Sequence, residues 1–168
     1  MSYTSQFAHA DAVMTHLAGF VPGLCDPQLQ QKYIGFASVA AITVYELAIK
    51  DIFVDFASKK HVVLEEFVKT FFRRINGRVS PDVIVGKYVP HFGVKYTNRY
   101  KKRLKSESAH YLRKNKRDFV NSYRNLLTWR HNFVHAGQLT TTVTFAEVVQ
   151  AYEDGKHLIH CLAACMTR

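Results

Sequence analysis

The chain has 168 residues, of which 48% are hydrophobic and 13% aromatic, and this suits one domain over residues 1–168 with a hydrophobic core. With only 4 prolines and 8 glycines, the composition excludes a low-complexity or disordered chain. The formal net charge of +10 favours a polyanion as the partner.

The first two predicted helices are apolar, and the second is the longer. The first covers about residues 3–17, and the second covers about residues 27–57 with Asp26 as its N-cap. The most apolar stretch, residues 33–49, is shorter than the ~20 residues of a membrane span and contains Glu46. A buried core helix is therefore predicted there, and no membrane partner is expected.

Two shorter helices are predicted in the middle of the chain. The third helix covers about residues 61–75 and is closed by Asn76 and Gly77. A short fourth helix opens at Ser80-Pro81-Asp82 and ends before Pro90, because the residue before a proline avoids the helical conformation.

A basic segment follows at residues 95–117. It holds ten Lys and Arg residues and one acid, Glu107, whereas the rest of the chain has thirteen Lys and Arg against twelve acids. A basic block on a near-neutral body is typical of a protein that binds a polyanion, and a solvated face that aids solubility is the alternative. The candidate binding cations are Lys95, Arg99, Lys101, Lys102, Arg103, Lys105, Arg113, Lys114, Lys116 and Arg117.

The pattern of apolar residues in the basic segment does not decide whether the segment is helical. Its apolar positions Tyr96, Tyr100 and Leu104 are spaced by four but are sparse. Tyr96 and Tyr100 are either platforms for the bases of a single-stranded nucleic acid or packing residues of the domain.

The last two predicted helices have clear end signals. A motif helix covers about residues 115–136, and Gly137 suits the position after its C-terminus. Thr144 and Glu147 have the spacing of a capping box, which opens a terminal helix over about residues 145–166. With helical periodicity almost throughout, the predicted fold class is all-α, a bundle of about five to seven helices.

The end of the motif helix, residues 129–137, combines charged and apolar side chains. On an ideal helix, Arg130 points to the middle of the face that carries Phe119, Tyr123 and Leu126. An unpaired buried charge costs several kcal/mol, so Arg130 is expected to face the core with a partner, or to face an interface.

Glu46 presents the same problem on the second helix, where it shares an apolar stripe with Ile42 and Ile49. Lys50 is its i+4 neighbour and is one candidate to pair with the carboxylate. The other candidate is Arg130, which would approach Glu46 across the bundle and be oriented by it.

Two of the three chemistries that fit the motif are metal binding and a structural role. His131 and His135 share a helix face as in the H-E-x-x-H zinc proteases, but Asn132 stands where the general-base glutamate belongs. In the structural role, Arg130 anchors the bundle, and His135 interacts with the carbonyl groups at the helix end.

The third chemistry is phosphoryl transfer on RNA. Arg130 supplies a planar, permanently charged group that matches a phosphate, and His135 is a candidate general acid or base because histidine exchanges protons near neutral pH. With the 2′-OH of the RNA as nucleophile, these two residues are sufficient, and no metal or other cofactor is needed. The basic segment would hold the flanking RNA backbone.

The sequence from Arg130 to His135, R-H-N-F-V-H, resembles the R-x4-6-H signature of the HEPN superfamily, small all-α domains found in many bacterial toxins and defence ribonucleases. A polar residue directly after the arginine, here His131, is typical of that signature. The order of helices also agrees, with a long early helix bearing Glu46, the motif late in the chain and one terminal helix after it. The resemblance covers about residues 27–166 and is nearest to the RiboL-PSP-HEPN-like branch.

This resemblance implies a metal-independent endoribonuclease that works as a homodimer, with the motifs of two chains facing one another across a cleft. Arg130 and His135 would be catalytic, His131 and Asn132 would orient them, and Glu46 is a further supporting candidate. A bacterial toxin or antiphage role is implied, with an antitoxin or other neutralising protein as partner. The alternative is a catalytically inactive helical module of the same fold that binds RNA or a protein.

One geometric question is left open by the motif. Five residues of a continuous α-helix turn the chain by about 140°, so Arg130 and His135 of one chain would diverge. Either the helix loosens before Gly137, or each site combines residues from both chains.

The cysteines and the N-terminus point to the cytoplasm. The chain has 3 cysteines without the spacing of a disulfide framework, which favours reduced thiols. The N-terminal sequence has no basic region followed by an apolar run, so no signal peptide is expected. Cys161 and Cys165, with His157 and His160 nearby, are the other candidates for metal ligands, and no metal is expected.

Overall fold

The computed structural model describes residues 3–73, 75, 78–137 and 143–167, and no β-strand occurs in these ranges. The helices confirm the all-α fold class predicted from the sequence. In chain order, the elements are a 3₁₀ turn (Tyr3–Gln6), α1 (Phe7–Ala18), a 3₁₀ turn (Val21–Gly23), α2 (Pro27–Ser58), α3 (Val62–Phe72), α4 (Pro81–Val83), a π turn (Ile84–Tyr88), a 3₁₀ turn (Val89–Phe92), α5 (Val94–Asn115), α6 (Phe119–Ala136) and α7 (Phe145–Cys165).

Several helix ends follow the signals in the sequence. The Asp26 carboxylate accepts hydrogen bonds from the backbone N–H groups of Gln28 at 2.8 Å and Leu29 at 3.3 Å, and so caps α2. The capping box that begins with Thr144 is present at the start of α7. Gly137 ends α6 in the left-handed conformation, with φ = 68°. These three end signals are therefore confirmed.

The motif helix α6 begins at Phe119 rather than near residue 115. Lys116 adopts the left-handed conformation with φ = 58°, which ends α5 and turns the chain. Asp118 then caps α6, because its side chain accepts a hydrogen bond from the backbone N–H of Val120 at 2.9 Å. The predicted helix was thus too long because a lysine gives no sequence signal for a left-handed turn.

Two other predicted ends can be compared with the structure. The fourth helix ends at Val83, before Pro90 as predicted, and the chain then continues in π and 3₁₀ turns through Phe92. Pro90 is tolerated because it lies in the first turn of the 3₁₀ segment, where its missing N–H has no helical partner. Helix α3 ends at Phe72 rather than at Ile75, and the predicted stop at residues 76–77 lies outside the described residues.

Helix α2 is the centre of the bundle and packs against α1, α3, α6 and α7. A Cβ added to Gly35 of α2 would lie 2.1 Å from Cδ2 of Phe133 on α6, so the backbone of α2 lies directly against that ring. Further along the same pair of helices, the rings of Tyr45 and Tyr123 stack with their centroids 5.1 Å apart. These two contacts show that α2 and α6 run antiparallel.

Three buried tyrosines join α2, α6 and α7 at the middle of the core. The ring of Tyr45 also stacks on Tyr152 of α7, with centroids 5.7 Å apart. The hydroxyl of Tyr123 donates a hydrogen bond to the carbonyl of Val79 at 2.8 Å, so its polar end is satisfied. No helix in the described part of the chain is long and apolar enough to cross a membrane.

Candidate functional site

Arg130 lies where the buried stripe of α6 reaches the surface. The stripe is buried at Phe119, Tyr123 and Leu126, whereas Val134 near the C-terminus of the helix is 50% exposed. Arg130 is half-buried between these two regions. Its backbone is therefore anchored by the core while its side chain stands at the edge of the bundle.

The Arg130 guanidinium forms no hydrogen bond or ion pair with any residue in the described ranges. Glu46 instead pairs with Lys50, with Nζ and Oε1 2.7 Å apart. The prediction that Glu46 pairs with Lys50, its i+4 neighbour, is therefore confirmed. A Glu46–Arg130 ion pair does not occur among the described residues.

The antiparallel register of α2 and α6 explains why Glu46 and Arg130 do not meet. Because Gly35 faces Phe133 and Tyr45 faces Tyr123, Glu46 lies near the level of Tyr123. Burial raises the pKa of Tyr123, and the charge of Glu46 adds to that rise, as expected for neighbours. In the same register, Arg130 lies opposite about position 38 of α2. At 1.5 Å per residue, this position is about 12 Å from Glu46 along the axis of α2.

The two histidines of the motif stand on the outer side of α6. His131 and His135 are both exposed, and their ring centroids are 4.4 Å apart. The helix remains regular through Ala136, and the N–H of Gly137 donates to the carbonyl of Phe133 at 2.9 Å. The helix does not loosen before Gly137, so the side chains of Arg130 and His135 leave it about 140° apart.

The other candidate metal ligands do not converge. Among the described residues, no group of three His, Cys, Asp or Glu side chains is placed to hold a metal ion. Burial raises the pKa of the Cys161 thiol to about 11 and also raises that of Cys165, so both are protonated at neutral pH. Cys25, by contrast, is exposed.

The basic segment becomes one long helix, α5, followed by the short turn to α6. Tyr100 is completely buried, and Tyr96 is half-buried with its ring centroid 4.9 Å from that of Phe56. Tyr100 is thus a packing residue, and its ring is inaccessible to a nucleic-acid base. The cations are all exposed: Lys95, Arg99, Lys101, Lys102, Arg103, Lys105, Arg113, Lys114, Lys116 and Arg117.

Arg117 differs from the other cations because it binds a buried carboxylate. Its Nε and Nη2 donate hydrogen bonds to Asp154 at 3.0 and 3.3 Å. Asp154 also accepts hydrogen bonds from Tyr111 at 2.7 Å, Ser122 at 3.0 Å and Gln150 at 3.0 Å. Burial alone would raise the pKa of Asp154, but these hydrogen bonds, led by Arg117, lower it below its ordinary value.

Asp154 is a residue that the sequence interpretation missed. Its side chain is 1% exposed, and it joins α7 to α5, to α6 and to the turn between them. A signal was present, because Asp154 shares the helical stripe of Leu158, Cys161 and Cys165 at spacings of four, seven and eleven. The sequence does not show which residues of α5 and α6 donate hydrogen bonds to Asp154, because most of its neighbours on the stripe are apolar.

The structure thus combines an all-α bundle, a long central helix and an antiparallel late helix that carries R-x4-H at its C-terminal end. This is the organisation of a HEPN-superfamily domain. A family model described as RiboL-PSP-HEPN matches residues 9–167, and the chain belongs to this family. No curated protein and no solved structure matches the chain. The HEPN family is generally ribonuclease-related, and its domains commonly work as dimers with RNA substrates.

Proposed function

We propose that the protein is a metal-independent endoribonuclease whose catalytic residues are Arg130 and His135. One observation carries this proposal: a half-buried guanidinium, unpaired within the described residues, is held at the edge of the bundle in a chain of a ribonuclease-related family. A charge that is partly removed from water is stabilised by a partner of opposite charge. An anion supplied by a substrate would satisfy Arg130 instead.

The reaction needs one proton acceptor, one proton donor and charge stabilisation. The RNA 2′-oxygen loses its proton, bonds to the adjacent phosphorus and displaces the 5′-oxygen, which takes up a proton. His135, an exposed imidazole, serves as general base or general acid in these transfers. Arg130 binds the non-bridging oxygens and stabilises the charge that develops on them. The products are a 2′,3′-cyclic phosphate and a 5′-hydroxyl.

The two residues belong to one site only if two chains meet. Because α6 is regular through Ala136, we propose that Arg130 of one chain and His135 of its partner act on the same phosphate. Exposed apolar residues support an interface at this end of the bundle: Phe36 of α2 and Val134 of α6 are each 50% exposed. In the antiparallel register, these two side chains lie at nearly the same level as the motif.

Within this proposal, the protein acts in the bacterial cytoplasm as a toxin or antiphage effector. An active ribonuclease harms its own cell, so a neutralising protein partner is expected. The second candidate function is an inactive helical module that binds RNA through α5. The exposed cations of that helix favour it independently of the motif.

RNA cleavage in the presence of EDTA tests the proposed function. We expect the wild type to cut RNA, and Arg130→Ala and His135→Ala each to lose about a hundredfold or more in rate, as is usual for general acid–base and charge-stabilising groups. His9→Ala, which removes an exposed histidine of α1, is the control and should retain the wild-type rate.

Each other outcome of this assay has a definite meaning. Cleavage that persists in Arg130→Ala or His135→Ala excludes the catalytic assignment. A rate that EDTA abolishes excludes the metal-free mechanism. A wild-type chain that binds RNA without cutting it leaves the inactive binding module as the function.

A further inference from the structure

A cleft lies between α5 and α7, beside the first residue of α6, and its volume is about 470 Å³. This space is large enough for a small ligand or for part of a larger one. Phe119 forms part of its lining and stands eleven residues before Arg130, which is about 16 Å along the axis of α6. The cleft is therefore separate from the motif, although both lie on the same helix.

Tyr111, Phe119 and His157 form an aromatic cluster in the lining of the cleft. The rings of Tyr111 and His157 have centroids 4.5 Å apart, and Phe119 lies 5.5 Å from Tyr111 and 5.9 Å from His157. The Tyr111 hydroxyl is fixed by its 2.7 Å hydrogen bond to buried Asp154, so this ring is held in place. His157 is exposed, and an exposed aromatic ring is a surface on which a base can stack.

Cations line the α5 side of the same cleft. Arg103 and Lys114 share one face of α5, about 16 Å apart along its axis, and His110 lies between them. Glu107 is the acid of this lining, and it lies 3.6 Å from Arg103, at the long end of the range for an ion pair. Lys114 has no ion pair with any residue in the described ranges.

These features select a ligand that is both aromatic and anionic. Stacking of a base on aromatic side chains, with cations along the backbone, is how proteins hold single-stranded nucleic acid. Cations about 16 Å apart match a run of phosphates better than a single phosphate ion. A double helix does not fit this arrangement, because its bases are stacked on one another and are not available to His157.

We propose that the cleft between α5 and α7 binds a nucleotide of the single-stranded RNA substrate at a distance from the scissile bond. The base stacks on His157 beside Tyr111, and Arg103, His110 and Lys114 bind the flanking phosphates. This inference rests on RNA binding within the proposed function, and it does not depend on cleavage. The proposal also separates the cations of α5 into two groups. Those on the face that lines the cleft contact the RNA directly, and those on the opposite face attract it only through long-range charge.

Two lysines of α5 provide a matched test. Lys114 and Lys105 are nine residues apart, which places them on opposite sides of the helix, about 180° from each other. Binding of a labelled oligoadenylate of about twelve nucleotides is measured in a His135→Ala background, which does not cut the probe. Lys114→Glu should weaken this binding by about tenfold or more, whereas Lys105→Glu should weaken it by about threefold or less. Equal losses for the two variants would show that only general charge matters, and would overturn the proposal.

The aromatic part of the cleft is tested separately at His157. We expect His157→Ala to weaken binding about tenfold with an unchanged salt dependence, and His157→Phe to keep the parent affinity, because stacking needs a ring and not a charge. Parent-like binding by His157→Ala contradicts the stacking role. Circular dichroism and thermal unfolding establish that each variant is folded.

Failure of this inference is distinguishable from failure of the proposed function. Cleavage by the wild type is measured in EDTA without any change in the cleft. If the wild type cuts RNA while the Lys114 and Lys105 variants bind alike, the cleft inference alone is wrong. If the cleft variants behave as expected and no cleavage is found, the catalytic proposal alone is wrong. A parent that binds no oligoadenylate overturns the cleft inference.

Discussion

At Gly35, the backbone of α2 lies directly against the Phe133 ring of the motif helix. A methyl group there would lie 2.1 Å from the Phe133 ring, so Gly35→Ala must push α6 away from α2 or rotate the ring. We expect a loss of about 1–3 kcal/mol in the free energy of unfolding, the usual cost of overpacking. We also expect slower RNA cleavage, because Arg130 lies one turn from Phe133. Chemical denaturation and the cleavage assay measure the two effects.

Gly86→Ala is the control for this substitution, because a Cβ at Gly86 meets nothing within 4 Å. It should change stability by no more than about 0.5 kcal/mol. In the double variant Gly35→Ala/Phe133→Leu, the smaller side chain makes room, so the two stability losses should not add. Additive losses would show that Gly35 and Phe133 are not in the contact described.

The sequence predicted where single residues lie on a helix better than it predicted which residues of different helices pair with one another. The helical wheel correctly placed Arg130 on the same side as Phe119 and Tyr123, because that placement depends only on residues within one helix. It did not decide between Lys50 and Arg130 as partner of Glu46, because that choice depends on the register between α2 and α6. The contact that indicates this register joins Gly35 to Phe133, and neither residue carries a polar side chain that would have marked the pairing in the sequence.

At the scale of the helices, Asp154 is the residue that holds α5, α6 and α7 together. Asp154→Asn keeps the shape of the side chain but removes the charge that Arg117 binds. We expect a loss of about 2–4 kcal/mol in unfolding free energy at pH 7, as is usual for charged hydrogen bonds in a buried network. Asp82→Asn is the control, because the Asp82 side chain is 80% exposed in its ion pair with Arg124 and should contribute less than about 1 kcal/mol.

Acid titration gives a second measurement of the same network. The pKa of Asp154 is lower in the folded chain than its ordinary value, so its contribution to stability is present above about pH 4 and is lost as the pH falls through the folded value. Asp154→Asn should therefore unfold with a weaker dependence on pH below about pH 4 than the wild type. Identical acid profiles would indicate that Asp154 contributes little as a carboxylate.

Helix positions were predictable from the sequence where a local signal marks them. Asp26, Thr144 and Gly137 were correctly identified, since capping and left-handed turns favour those residue types. The break at Lys116 was missed, because nothing in a lysine side chain favours the left-handed conformation. The break allows α5 and α6, which are consecutive in the chain, both to pack against α7.

At the scale of the whole molecule, the proposed site predicts complementation between two inactive chains. A mixture of Arg130→Ala and His135→Ala chains forms heterodimers in which one of two sites has an intact Arg130 and an intact His135. With random pairing, we expect the mixture to recover about a quarter of the wild-type cleavage rate. Each variant alone should remain inactive at the same total concentration. A mixture that stays inactive, although mass analysis shows heterodimers, would contradict a site shared between chains.

The unequal cysteines offer a direct way to measure such a dimer. Cys161 and Cys165 are buried, and their raised pKa keeps both sulfurs in the unreactive thiol form at neutral pH. Cys25 is exposed and lies next to Asp26, the N-cap of α2, so a maleimide or nitroxide reagent should label the unaltered chain at that position. One spin label per subunit, placed at the beginning of the central helix, would allow the separation of two protomers to be read in solution by pulsed electron resonance.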